Sequence, residues 1–206
     1  MTDHFTLDEQ YRLLQAAEAS DAINALGISL CFHLGIRLGE LCGLQWQDID
    51  LDTGTVRIQR TIQRVVNPAG TPKTHLAVLS YDGKSPVRTL TLPKLVTNLL
   101  ATHKPPIAKG YVISRQGEPI EPRNMQFRFK TLQEHAHVTP KKFYAIRHTF
   151  AIRAIESGCD LFTLSELLGH TSLQMTEKHY GYLVKKSGGL ERMLTGTGEE
   201  LPGYLF

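Results

Sequence analysis

The sequence predicts an α+β domain that is mainly α and carries a small three-stranded antiparallel sheet. Most of the chain repeats its apolar residues at helical spacing, whereas residues 55–66 alternate apolar and polar side chains as a half-buried strand does. With 206 residues, 41% of them hydrophobic, the chain is long enough to bury a core of its own.

The first third of the chain is predicted to be helical. Thr6 and Glu9 form a capping-box pattern, which predicts a helix from there to about residue 20. A second helix is predicted over residues 21–35, and because it is apolar on most sides it should be central. A third follows over residues 38–44, with Arg37 directly before it.

The strand-like part of the sequence follows. The first strand is predicted over residues 55–66, and residues 67–70 (Asn-Pro-Ala-Gly) form a turn. Two further strands are predicted over residues 76–80 and 87–92. They are separated by Asp82-Gly83, a dipeptide that favours hairpins.

The second half of the sequence returns to helical spacing. Pro93 suits the first residue of a helix that runs to about residue 103, and residues 111–114 are predicted as a short strand. Gly158 and Gly169 stand where helices commonly end in a left-handed residue. The remaining predicted helices span residues 123–137, 142–157, 161–168 and 172–184, before a Gly-rich tail.

Composition and charge limit the compartment and the partners. No apolar run approaches the roughly 18 residues of a membrane helix, and no export signal is expected. Cys31, Cys42 and Cys159 are odd in number and lack C-x-x-C spacing, which predicts reduced, buried thiols in the cytoplasm. The net charge of +3 permits a nucleic-acid partner without demanding one.

No metal or cofactor is expected from the sequence. The acidic run at residues 48–52 has Thr53 where a calcium loop needs glycine, and His135-Ala-His137 lacks neighbouring ligands. No G-x-x-x-x-G-K-[ST] string is present, so ATP is not expected either.

Four motifs hold the residues that suit cleavage of a phosphodiester. They are Arg37 in G-I-R-L-G-E, Arg147 in R-H-T-F, His170 in L-L-G-H and Tyr180 in T-E-K-H-Y. Arginine forks bind two phosphate oxygens and keep their charge, and histidine adds a third donor. A tyrosine in such a positive neighbourhood can serve as nucleophile.

These motifs, in this order, resemble the catalytic domain of the tyrosine recombinases, the phage-integrase family, over about residues 6–183. The resemblance implies a site-specific DNA recombinase that cleaves and rejoins strands through a covalent 3′-phosphotyrosine, without metal or ATP. It implies that Arg37, Arg147 and His170 hold the phosphate and that Tyr180 attacks it. Residues 1–184 would form the catalytic domain, and residues 185–206 a tail that can dock on a neighbouring protomer.

The resemblance also suggests the acid that protonates the leaving oxygen. The family uses a lysine in a hairpin turn, and the stretch G-K-S-P-V-R makes Lys84 the candidate. Lys73, in P-K-T, remains the alternative, because many relatives carry P-K-T at a register where this chain has Asp82.

One position departs from the family pattern. Tyr144 in Y-A-I-R stands where the family usually has histidine. A phenol can donate to a phosphate but accepts a proton poorly at neutral pH, so we expect either slower activity or another group that takes the nucleophile's proton.

Further residues gain roles from the resemblance. Tyr182 is the rival nucleophile, but the spacing from His170 favours Tyr180. Glu40 is expected to hold Arg37 in position, and His148 is expected to support the catalytic residues without contacting the phosphate.

The resemblance implies double-stranded DNA with inverted-repeat core sites as substrate, and a homotetramer on that DNA. DNA-bending or excision accessory proteins are further expected partners. A bacterial or phage-encoded protein of a mobile genetic element, cytoplasmic and nucleoid-associated, is expected. The family usually adds an N-terminal DNA clamp, so the chain is expected to be a fragment or to resemble the short fimbrial recombinases. Two alternatives remain: a type IB topoisomerase, and a DNA-binding regulator with reduced or lost catalysis.

Overall fold

The computed structural model describes residues 4–81 and 87–186, and side chains as far as residue 184. No helix in these ranges is long and apolar enough to cross a membrane. The α-helices of the described ranges are α1 (Leu7–Glu18), α2 (Ala22–Leu34), α3 (Leu38–Gly43), α4 (Lys94–His103), α5 (Pro122–His135), α6 (Tyr144–Glu156), α7 (Leu161–Leu168) and α8 (Leu173–Lys186). Their order and approximate bounds agree with the prediction.

Local capping explains where the first two helices begin and end. Thr6 Oγ1 accepts from the Glu9 N–H at 3.1 Å, and Glu9 Oε2 accepts from the Thr6 N–H at 2.9 Å, which confirms the capping box. Asp21 caps α2 through the Asn24 N–H, and Gly35 ends the helix with φ +60°. Most residues of α2 are buried, so α2 is central, as predicted.

The strands form small antiparallel sheets. They are β1 (Ile49–Asp50), β2 (Thr55–Ile58), β3 (Arg60–Val66), β4 (Thr74–Ser80), β5 (Arg88–Thr91), β6 (Ser114–Arg115) and β7 (Glu118–Pro119). One sheet has three strands in the order β1-β2-β5, and two further sheets are the pairs β3-β4 and β6-β7. The antiparallel three-stranded sheet is confirmed, but its strands differ from the prediction. The prediction placed residues 55–66, 76–80 and 87–92 in it, whereas the structure places β1, β2 and β5 there.

The predicted single strand over residues 55–66 is broken at Gln59. There the side-chain amide of Gln59 donates from Nε2 to Asp48 Oδ1 at 2.7 Å. The next residue, Arg60, forms an ion pair with the same buried carboxylate. These bonds mark the point at which the chain leaves one sheet and enters the other.

Pairing of the later strands also corrects the prediction. β4 and β5, expected to flank a hairpin at residues 82–83, pair with β3 and β2 respectively, and that dipeptide lies outside the described residues. The short strand expected at residues 111–114 is reduced to one bridge between Tyr111 and Gln45, and β6 begins only at Ser114. Pairing between distant segments decides both points.

Helix α6 connects two hydrophobic cores. Ala145 and Ile146 belong to the larger core, which is built around α2. Ala151 and Ile155, further along α6, pack in a smaller core with α7 and α8. Arg147 therefore lies on α6 between the two cores, where few charged side chains are expected.

Candidate active site

Arg37 lies at the start of α3 and is held from two sides. Its backbone N–H donates to Glu40 Oε2 at 2.7 Å, and its Nη1 donates to Glu40 Oε1 at 3.0 Å. Its Nη2 donates to the Gly169 carbonyl oxygen at 3.0 Å. The side chain is still 36% exposed, so the oriented guanidinium is accessible to an anion.

Glu40 gathers three cationic or polar side chains around one buried carboxylate. Besides Arg37, it accepts two hydrogen bonds from Arg88, at 2.9 and 2.8 Å, and one from the Tyr81 hydroxyl at 2.7 Å. Burial alone would raise the pKa of Glu40, but the hydrogen bonds and charge of Arg88, with the charge of Arg37, lower it to about 2. Glu40 is thus ionised at neutral pH and supports Arg37, as expected.

Sequence reasoning assigned no role to Arg88. This residue is buried in β5, and its Nε donates to the Leu167 carbonyl oxygen at 2.8 Å. A signal was present, because Arg88 and Leu90 lie on the same face of β5, and that face packs on the core. A cation on the apolar face of a strand predicts a buried acidic partner.

Arg147 is almost completely buried. Its Nη1 donates to the Gly35 carbonyl oxygen at 2.7 Å and its Nη2 to that of Leu168 at 2.6 Å, whereas its buried Nε has no partner in the structure. Burial, and then the nearby charge of Arg37, lower the pKa of Arg147 to about 10. The side chain therefore stays cationic at neutral pH and joins the end of α2 to the end of α7.

The C-terminal turn of α7 binds Arg37, Arg88 and Arg147. The carbonyl oxygens of Leu167, Leu168 and Gly169, three consecutive residues, accept from Arg88, Arg147 and Arg37 respectively. The last carbonyl groups of a helix carry partial negative charge and lack partners within the helix. The helix end therefore fixes the arginines at one place, directly before His170.

His170 is held as a neutral imidazole. Its Nδ1 lies 2.8 Å from Thr176 Oγ1. Burial, and then the charges of Arg147 and Arg37, lower the pKa of His170 to about 4. Thr176, which sequence reasoning did not single out, is completely buried on α8. A threonine four residues before Tyr180 on the inward face of the helix was the available signal.

Tyr180 is buried and hydrogen-bonds to a histidine of α6. It is only 2% exposed within the smaller core, and its hydroxyl lies 2.8 Å from His148 Nδ1. Burial, and then the proximity of Tyr144, raise the pKa of Tyr180. Tyr182, the rival candidate, is 57% exposed.

Tyr144 and His148 connect Tyr180 with the surface. The ring of His148 lies between those of Tyr144 and Tyr180, with centroid distances of 4.6 and 5.7 Å. Tyr144 is about half exposed and lines a cavity of about 630 Å³. Arg37, Lys130, Lys141, Lys142 and Arg147 also line it, and none of the described residues that line it is acidic. Lys141 is ion-paired with Glu9, so the other four cations make the cavity suitable for a polyanion.

The two lysine candidates lie in different places. Lys84 lies outside the described residues, but Tyr81 and Arg88, on either side of the 82–86 segment, both contact Glu40. Lys73 is exposed before Thr74, at the end of β4 away from Tyr81. A strand of that length spans about 20 Å, so Lys73 is distant from Glu40 along the hairpin.

Within residues 4–81 and 87–186 no group of three or more His, Cys, Asp or Glu side chains could hold a metal ion.

The fold is that of a tyrosine-recombinase catalytic domain. The structure is similar to the Tn1549 transposon integrase in complex with transposon right end DNA, with a TM-score of 0.74 at 20% identity over 94% of this chain and 66% of that one. It is also similar to the XerA recombinase, with a TM-score of 0.69 at 19% identity over 91% of this chain and 66% of that one.

Residues 4–186 match the phage integrase family, and the chain belongs to that family. It is 32% identical to the tyrosine recombinase XerC-like protein of Caldanaerobacter subterraneus subsp. tengcongensis, over 87% of this chain and 50% of the relative. It is 33% identical to the tyrosine recombinase XerC of Xylella fastidiosa strain M23, over 73% of this chain and 45% of the relative. The chain thus spans about half the length of these relatives.

Proposed function

We propose that this chain is the catalytic part of a site-specific recombinase, which cleaves and rejoins DNA through a phosphotyrosine at Tyr180. The observation that carries the proposal is the convergence of Arg37, Arg88 and Arg147 on three consecutive carbonyl groups at the end of α7. This cationic turn directly precedes His170 and lies beside the helix that bears Tyr180.

The residues divide the chemistry among them. Arg37 and Arg147 neutralise the non-bridging oxygens of the scissile phosphate, as guanidinium groups fixed before the reaction do. His170 donates from Nε2 when Thr176 donates to its Nδ1, since a neutral imidazole has one donor and one acceptor. Tyr180 Oη attacks phosphorus, and the bond from phosphorus to the 5′ oxygen breaks.

The burial of Tyr180 adds a requirement. A phosphate reaches a hydroxyl on a side chain that is 2% exposed only after the groups that cover Tyr180 from solvent move aside, while the contact of Tyr180 with His148 is kept. DNA binding supplies the free energy for that movement, because the phosphate replaces the contacts that these covering groups lose.

Lys84 is the proposed acid for the leaving 5′ oxygen, in preference to Lys73. The support is that the residues flanking the 82–86 segment contact Glu40, which itself binds Arg37. Tyr144, at the edge of the cavity, is proposed to donate a hydrogen bond to the phosphate.

Double-stranded DNA with inverted-repeat sites is the proposed substrate, and a homotetramer the proposed assembly, with accessory proteins that bend the DNA. Support comes from the cationic cavity and from the Tn1549 integrase, whose structure contains transposon DNA. Action in the bacterial cytoplasm, on the nucleoid, agrees with the bacterial relatives. We further propose residues 1–184 as the catalytic domain and the tail from residue 185 as a segment that docks on a neighbouring protomer.

The test is relaxation of a supercoiled plasmid in EDTA, with a denaturing gel for covalent protein–DNA adducts. Wild type is expected to relax the plasmid and form adducts, Tyr180→Phe to do neither, and Tyr182→Phe to do both. DNA binding without adducts in the wild type would favour a DNA-binding regulator. Relaxation that depends on no particular site and is not accompanied by strand exchange would favour a topoisomerase.

A further inference from the structure

The phenol proton of Tyr180 needs an acceptor before the oxygen can attack. A buried phenol has no bulk water to take the proton, and burial raises the pKa of Tyr180. Tyr144, whose ring contacts that of His148, is itself a phenol and a poor proton acceptor at neutral pH.

The structure places one imidazole at the right distance. His148 Nδ1 and Tyr180 Oη are 2.8 Å apart, which is within the range required of a general base. The phenol donates this hydrogen bond when Nδ1 is unprotonated. His148 directly follows Arg147 on α6, so adjacent residues reach the phosphate and the nucleophile.

The surroundings of His148 fix its orientation. Tyr144 lies one helical turn earlier on α6, and its ring meets that of His148 edge to face at an interplanar angle of 88°. The Tyr180 ring packs on the imidazole from α8. Two titratable groups, Tyr144 and Tyr180, thus contact the His148 ring.

We propose that His148 is a catalytic residue, the general base for Tyr180. As the bond between Tyr180 Oη and phosphorus forms, the phenol proton passes to His148 Nδ1. The bond from phosphorus to the 5′ oxygen breaks, and that oxygen takes its proton from a separate acid. In the reverse reaction His148 returns the proton to Tyr180. The inference rests on the proposed function, and it gives His148 a direct role instead of mere support.

The experiment compares the rate of adduct formation for wild type, His148→Gln and His179→Gln on a supercoiled plasmid. Glutamine keeps a polar side chain but accepts no proton. We expect His148→Gln to lose about 10²- to 10⁴-fold at neutral pH, the usual contribution of a general base. His179, exposed and adjacent to Tyr180, is the matched control, and His179→Gln is expected to keep the wild-type rate.

A chemical rescue separates proton transfer from a structural defect. Replacing Tyr180 by 3,5-difluorotyrosine gives a more acidic phenol, which needs a base less. This replacement is expected to restore much of the rate in His148→Gln and none in Arg147→Lys, where the phosphate contact is damaged. Thermal unfolding of each variant reports whether it is folded.

The outcomes are distinguishable. Adducts in the wild type with an undiminished rate in His148→Gln would overturn the role of His148 and leave the proposed function intact. A folded His148→Gln that is slow but gains nothing from difluorotyrosine would also overturn it. No adduct in the wild type would overturn the proposed function, and this inference with it.

Discussion

Arg88 and Glu40 form a buried two-point ion pair, with hydrogen bonds of 2.9 and 2.8 Å between β5 and α3. Because Glu40 also binds Arg37 and Arg88 also binds the Leu167 carbonyl, the pair connects α3 with the end of α7. This pair therefore helps to hold Arg37 beside the turn that precedes His170.

Removing the cation of this pair should be costly. Arg88→Met leaves a buried carboxylate with less compensation, and breaking such a pair typically costs about 3–5 kcal/mol. The control is Arg64→Met, which removes an ion pair with Glu121 in which the arginine is 51% exposed. Its expected cost is much smaller, because solvent screens an exposed ion pair. Urea unfolding measures the loss of unfolding free energy in each variant. Equal losses would show that the buried ion pair stabilises the fold no more than the exposed one.

Acid should weaken the fold through Glu40. Its pKa is lowered from 4.5 to about 2 in the folded protein, so its contribution is complete above pH 4.5 and is lost as the pH falls toward 2. A shift of this size corresponds to about 3 kcal/mol. We expect the difference in unfolding free energy between wild type and Glu40→Gln to narrow across this window. A carboxyl group that titrates near 4.5 by NMR would contradict the prediction.

Gly169 is predicted to tolerate substitution worse than Gly54, although their φ angles are nearly equal, +62° and +64°. A left-handed conformation costs a residue with a side chain about 1–2 kcal/mol at either position. At Gly169 a Cβ would also lie 2.6 Å from Arg88 Nη1, whose bonds to Glu40 hold it in place, whereas at Gly54 nothing lies within 4 Å.

Thermal or urea unfolding of Gly169→Ala and Gly54→Ala checks this. The first should lose clearly more stability, and DNA cleavage as well. Indistinguishable losses would mean that Arg88 moves aside without cost.

Thr176 is predicted to orient His170 for catalysis. Thr176→Val keeps the shape of the side chain but removes the hydroxyl that lies 2.8 Å from His170 Nδ1. Loss of one hydrogen bond suggests cleavage slower by about tenfold. Thr176→Ser keeps the hydroxyl and should cleave close to the wild-type rate in the plasmid assay. Equal rates for the two variants would exclude this role of the hydroxyl.

The helices could be predicted because their signals are local. Thr6, Glu9 and Gly169 each form contacts within one helical turn of their own position. The structure shows the capping box of Thr6 and Glu9 and the left-handed conformation of Gly169. The exchange of partners among β2 to β5 could not be predicted. Val56, Ile58 and Ile62 keep one alternation through the break at Gln59, and that break depends on Asp48, which pairs from outside the strand.

The candidate site was predictable in its motifs but not in its contacts. Arg37, Arg147 and His170 meet at one turn, as expected from a shared role. The contact of Tyr180 with His148 depends on how α8 packs on α6, which no local pattern determines. Their roles in catalysis stay predictions, and Lys84 lies outside the described residues.

The central claim, that Tyr180 attacks DNA, is tested most directly by locating the covalent bond. Adducts formed on plasmid in EDTA would be denatured, digested with nuclease and trypsin, and examined by mass spectrometry. Tyr180 and Tyr182 share the tryptic peptide 179–185, so fragmentation must assign the site. We expect a nucleotide mass on Tyr180. A nucleotide on Tyr182, or on Tyr144, would contradict it.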